Sequence, residues 1–264
     1  MELDDAYANA AYIEGAEAYP GRWAADAAGF REGMLEQGLA ELDIPYGDSP
    51  RQVFDLFQPA GGAKGLFVFV HGGYWLKFDK SYWSHLAAGA LEKGWAVAMP
   101  SYDLCPEVRI ADISRQIAHM IPQAAAMVSG PILLAGHSAG GHLVARMATP
   151  GMLPAQVAVR VARIMPISPV ADLRPMVKTS MNADFKMEMA DAAMESPTLM
   201  LPMPGMDVVV WVGAEERPVF LEQATALAEA WRCELHIDPG KHHFNVIDGL
   251  ADPDSRMLEL LLPG

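Results

Sequence analysis

A serine, a histidine and a carboxylate can together transfer an acyl group, and this chain offers all three beside glycine-rich turns. "GHSAG" spans Gly136 to Gly140 and "HGGYW" spans His71 to Trp75. A serine hydroxyl is a weak nucleophile until a base removes its proton. When it attacks a carbonyl, the oxygen becomes an anion and needs N–H donors aimed at it. Ser138 is the candidate nucleophile. Gly136 and Gly140 flank it in a turn so tight that side chains would collide. Gly72 and Gly73 lack a Cβ, so the backbone there can turn its amides inward. That loop, together with Ala139 just after the serine, is the candidate source of donors. His71 reads as a residue that pins the loop.

Chains with such an elbow carry their triad in the order serine, acid, histidine. "PGKHHFNVIDG" supplies His242 and His243 near the C-terminus. His243 is the chosen base, because Phe244 and Val246 suggest a packed helix that would anchor it. His242 is the reserve. His85, His119 and His236 lie inside helix or strand patterns and read as packed or solvated. For the acid, "VWVGAEERP" places Glu216 three residues beyond Gly213. Aspartate is usual there, but glutamate reaches one methylene further and can still hold the imidazole tautomer. Glu215 competes, and so does Asp172 in "SPVADL".

Elements must hold these groups in place. "RQVFDLFQP" alternates polar and apolar, as a half-buried strand does. "LFVFV", "WAVAMP", "PILLAG", "RIMPIS", "DVVVWVG" and "CELHID" are further strands. Helices are predicted over "SYWSHLAAGALEKG", closed by Gly94, from Ile110 to Val128, after "GHS", and from Phe220 to Trp231. Pro122 should kink or end the second of these. Strands alternating with helices predict an α/β fold, with a mostly parallel central sheet and helices on both faces. Ligands bind beyond the carboxyl ends of such strands, where both glycine stretches lie. One domain over residues 1–264 is the simplest count. Residues 172–206 read as a small cap-like insert. It carries Met176, Met181, Met187, Met189, Met194, Met200, Met203 and Met206, as an adaptable apolar surface or as gap-filling.

The chain has 264 residues, 52% of them hydrophobic, enough for a full core. A formal net charge of -14 argues against nucleic acid and anionic membrane surfaces as partners. No apolar run is long enough to span a membrane. The N-terminus lacks a basic leader followed by an apolar core. Cys105 and Cys233 fit neither a disulfide framework nor a zinc pattern. A cytoplasmic location is therefore expected. No metal and no cofactor are expected, since HExxH, paired CxxC and a Gly-x-Gly-x-x-Gly after a strand are all missing. The expected partner is a small-molecule acyl substrate, with a homodimer left open.

"HGGYW" with "GHSAGGHL" resembles the arylformamidase (kynurenine formamidase) branch of the α/β-hydrolases, close to the esterase branch that carries H-G-G-G. The branch motif H-G-G-x-W matches His71 to Trp75 at every fixed position. "PSYDLCP", "ISPVADLRPMVKTS", "GAEERPVF" and the N-terminal "DDAYANAAYIEGAEAYPGRWAADA" are also similar. The resemblance implies an α/β-hydrolase fold with the amides of Gly73 and Tyr74 as oxyanion donors beside Ala139. Glu216 departs from the branch's aspartate. The implied chemistry is cleavage of small carboxylic esters or aryl formamides through an acyl-enzyme on Ser138, with His243 and Glu216. A thioesterase on the same machinery is the alternative. A non-catalytic binding module is less favoured, because the serine, histidine and glycines all survive. Trp75, Tyr102 and His142 are the expected substrate-pocket residues. The aromatic run Tyr74, Trp75, Phe78, Tyr82 and Trp83 either stacks on an aryl leaving group or packs in the core. Short acyl groups and aryl leaving groups are the expected preference.

Overall fold

The two apolar runs that end in glycines lie side by side at the centre of one sheet. The computed structural model describes residues 2–262. Among the described residues, eight strands form that sheet: β1 (Ala40–Pro45), β2 (Val53–Phe57), β3 (Leu66–Val70), β4 (Ala96–Pro100), β5 (Ile132–His137), β6 (Val161–Ile167), β7 (Val209–Gly213) and β8 (Glu234–Asp238). Their order is β1-β2-β4-β3-β5-β6-β7-β8. β1 and β2 pair antiparallel, as do β2 and β4. Every other pairing is parallel. Leu66 sits opposite Ile132 and Val70 opposite Gly136, so both glycine turns leave the same edge.

The helices are α1 (Tyr19–Glu36), α2 (Ala88–Glu92), α3 (Ile110–Met127), α4 (Ala139–Met147), α5 (Ala155–Ala158), α6 (Asn182–Phe185), α7 (Met189–Met194), α8 (Pro218–Trp231) and α9 (Arg256–Leu261). Strand side chains alternate between two apolar layers, as the pleat requires. Leu66, Val68 and Val70 join the layer built with Ile113 of α3, Leu143 of α4 and Phe220 of α8. Phe67 and Phe69 join the opposite layer with Trp23 of α1, Ala90 of α2 and Leu258 of α9.

Two predicted helices come out differently. Over Ser81 to Gly94 only α2 is α-helical; Lys80–Tyr82 and Ser84–Ala87 are 3-10 turns. Lys80 is drawn inward, with its ammonium 2.7 Å from both Asp43 and Asp55, and Arg31 donates to Ser84. These tertiary bonds hold short turns in place of one continuous helix. Conversely, α3 runs through Pro122 without ending. An interior proline costs about 3 kcal/mol. The buried Ile110, Ile113, Ile117, Met120 and Ile121 each gain about 1.5–3 kcal/mol from burial, which outweighs it.

Candidate active site

Ser138 is the single residue between β5 and α4. Its backbone sits at φ 57 and ψ -113, a conformation that costs a non-glycine residue about 1–3 kcal/mol. Neighbours hold it there: Ser138 N donates to Ile167 O at 2.8 Å, and His142 N donates to Ser138 O at 3.1 Å. The flanking glycines are sterically required. A Cβ on Gly136 would sit 2.2 Å from Gly140 O, and one on Gly140 would sit 2.0 Å from Val70 O. The turn is thus wedged against the end of β3, where the HGG loop begins.

That loop lies directly over the serine. A Cβ on Gly72 would be 3.1 Å from Ser138 Cβ. Gly73, Tyr74 and Trp75 follow with φ of 114, 53 and 56. Such a run turns the chain sharply above the elbow. His71 is buried beneath it, and the Tyr102 ring stacks on it with centroids 4.3 Å apart. Tyr102 Oη donates to His71 O at 2.9 Å. Tyr74 Oη donates to Tyr7 O at 2.7 Å, tying the loop to the N-terminal segment.

His243 and Glu216 meet beside this turn. His243 Nδ1 donates to Glu216 Oε2 across 2.5 Å, with side chains 5% and 0% exposed. Glu216 Oε1 accepts from Gly213 N at 3.0 Å and from the Ser168 hydroxyl. A proton held on Nδ1 leaves Nε2 with its lone pair, the state a general base needs. The His243 ring lies 4.6 Å from that of His137, the residue before the serine, and 4.2 Å from Phe220. The other candidates are exposed or otherwise engaged. Glu215 is exposed, and Asp172 pairs with Arg174 at 2.7 Å. His242 Nε2 contacts the Tyr19 hydroxyl at 3.1 Å. The segment after His243 turns instead of forming the expected helix. Asn245 Oδ1 takes the His242 amide at 2.7 Å, a local side-chain bond that competes with helix formation. Ser168 was not anticipated; at φ 47, just after β6, it carried no motif.

Burial holds the His71 imidazole down at about 4, and burial does the same for His142 against an opposing pull from Glu195. Burial also lowers His137 well below the usual imidazole range. Unfolded, all three take up protons near pH 6.5; folded, they refuse them until far lower pH. The unfolded chain therefore binds more protons in that window. Stability is full above about 6.5 and should fall by up to about 1.4 kcal/mol per pH unit per histidine toward pH 4. Urea midpoints at pH 7, 6 and 5 will show this, and His142→Gln should flatten the slope. A midpoint constant over that range would contradict it.

A cavity of about 210 Å³ opens beside His243. Its walls include Asn9, Tyr12 and Ile13 from the N-terminal segment, and Arg217, Pro218 and His242. The expected pocket residues are not among them. Trp75, Tyr102 and His142 are each 0% exposed and belong to the core. Trp75 packs edge-on against His142 and Phe185, and His142 Nε2 donates to Glu195 O at 2.7 Å. Their apolar surface is spent on holding α4 and the insert together. The insert over residues 172–206 is short helices and 3-10 turns. Glu195 anchors it, accepting from Ser114 and Arg146. Its methionines divide: Met176 and Met187 are buried, while Met189 and Met194 are exposed. No described helix is long and apolar enough to cross a membrane.

With this sheet order, and a serine elbow between its fifth strand and the following helix, the chain is an α/β-hydrolase. The BD-FAE family model matches residues 54–229, more than half of the chain, and the chain belongs to that family. It is similar to a kynurenine formamidase of Salmo salar, 29% identical over 245 residues, covering 86% of this chain and 83% of that one. It is also similar to a solved protein from Silicibacter sp. TM1040, provisionally designated a thioesterase. That likeness has 58% identity, 99% coverage of both chains and a TM-score of 0.97. Esterase B of Lactobacillus rhamnosis, at 17% identity, 91% and 93% coverage and a TM-score of 0.64, shares the fold.

Proposed function

We propose that this hydrolase cleaves small carboxylic esters or aryl formamides through an acyl-enzyme on Ser138. His243 takes the serine proton, and Glu216 holds its tautomer and stabilises the imidazolium. The amides of Gly73, Tyr74 and Ala139 receive the oxyanion. His243 then protonates the leaving group, and water releases the acyl group. The observation that carries this reading is the buried His243–Glu216 bond beside the Ser138 elbow. A thioester reading follows the designation of the Silicibacter protein.

Comparing kcat/KM for N-formylkynurenine, short p-nitrophenyl esters and acyl thioesters tests both. Ester or formamide should exceed thioester, and p-nitrophenyl ester rates should fall from acetyl to decanoyl. Each added methylene must find apolar area to gain its roughly 0.8 kcal/mol, and the acyl side is cramped by the elbow, where Ala139 is fully buried. A rate that climbs steadily with chain length would overturn the short-acyl reading. A thioester rate above the other two would select the thioesterase.

A further inference from the structure

Ser168 directly follows β6 with φ 47, in the left-handed region, and is fully buried. That backbone is costly for any residue with a Cβ and persists only where its surroundings impose it. Here Ser168 N donates to Trp211 O at 2.7 Å. Ile167 O, one residue earlier, accepts from Ser138 N at 2.8 Å. The Ser168 hydroxyl donates to Glu216 Oε1. Two adjacent residues thus touch both the backbone of Ser138 and the carboxylate of Glu216. Glu216 Oε1 takes its other bond from Gly213 N at 3.0 Å, inside its own turn, while Oε2 faces His243 Nδ1. Ser168 therefore anchors Oε1 from a different strand. Glutamate has one more rotatable bond than aspartate, and each free torsion spreads the carboxylate over more positions. An aspartate at 216, one methylene shorter, would have to draw away from Ser168 to keep His243. The buried hydroxyl would then be left unpaired.

We propose that Ser168 is a positioning residue for the acid of the triad, an inference that rests on the acyl-enzyme reading above. Its hydroxyl clamps Oε1 so that Oε2 meets His243 Nδ1, and the serine and the longer acid work as one unit. That pairing accounts for a glutamate where aspartate is usual. Removing the hydroxyl frees the carboxylate, and shortening the acid strands the hydroxyl. Either change breaks the same unit, so the second has little left to break.

The test uses the full chain, p-nitrophenyl acetate turnover and the rate of labelling by a fluorophosphonate. Ser168→Ala should lower kcat and the labelling rate by about 10- to 100-fold, the scale of a hydrogen bond to a charged group, with KM within about twofold. Ser168→Gly also removes the hydroxyl but relieves the left-handed backbone, so it serves should the alanine variant fail to fold. It should lose as much kcat as the alanine variant while melting no lower. Glu216→Asp should cost a similar factor alone, yet less than about threefold in the Ser168→Ala background. Wild-type rates in both Ser168 variants overturn the proposal. So does a glycine variant that recovers the activity, because Ser168 would then be only a structural turn. A loss carried by KM alone, or losses that multiply in the double variant, overturn it as well. The acyl-enzyme reading fails separately, if the wild type is not labelled or if Ser138→Ala is labelled equally fast.

Discussion

Ser138→Ala should fold as the wild type does and lose nearly all hydrolysis, with kcat down by about four to six orders of magnitude. The side chain removed is one hydroxyl at a turn whose backbone is held by Ile167 and by the helix that follows. Gly136 and Gly140 leave the turn no room to rearrange. The melting temperature should therefore stay within a few degrees while turnover disappears. A fluorophosphonate probe should label the wild type and leave the variant unlabelled. Labelling that persists in Ser138→Ala would place the nucleophile elsewhere, and the proposed mechanism would fail at its first step.

Glu216→Gln should cut kcat by about 10⁴, the scale of a triad acid exchanged for its amide. The local geometry gives the reason. Three donors converge on the two oxygens of Glu216: His243 Nδ1, Gly213 N and the Ser168 hydroxyl. A glutamine must turn its NH₂ toward at least one of them, and a donor then faces a donor. If it faces His243, the imidazole flips its tautomer and Nε2 loses its lone pair. If it faces Gly213 and Ser168, the turn after β7 is left with an unpaired buried amide, at about 1–3 kcal/mol. Both kcat and the melting temperature should fall. Asp172→Asn disturbs only the pair with Arg174 and a contact from Ser196, and should cost less than tenfold. A larger loss from Asp172→Asn than from Glu216→Gln would move the acid to Asp172.

The strands that carry the elbow and the HGG loop were legible because they are buried on both faces and end in glycines with a steric reason to be there. α1 and β1 were not. The α1 stretch, rich in alanine and glycine, buries only Trp23 and Ala27, so its apolar periodicity is faint. β1 is an edge strand whose side chains are half-buried at best. The burial of Trp75, Tyr102 and His142 was hidden for a different reason. Aromatic residues close to the HGG loop in sequence allowed either a wall or core packing, and Trp75 and Trp83 pack into the two core layers. The cavity beside His243 is walled by Asn9 and Tyr12, whose neighbourhood with Arg217 depends on contacts across some two hundred residues. Nothing local in "AYANAAY" announces that meeting.

The contacts of the N-terminal segment are also among the longest in range along this chain. Gln223 Nε2 donates to Tyr7 Oη at 3.0 Å, and Arg217 reaches back to Asp5. Asp5 and Tyr7 therefore find their partners at the start of α8 and on it, 212 and 216 residues further along the chain. At ribosomal speeds of about 5–20 residues per second, that segment waits roughly 10 to 40 s for α8 to be made. Contacts of such long range also form slowly in refolding, because loop closure must come before they are rewarded. The central strands can be paired while the cavity beside His243 still lacks a wall. Recovered turnover should therefore lag behind recovered secondary structure when the two are followed together in refolding.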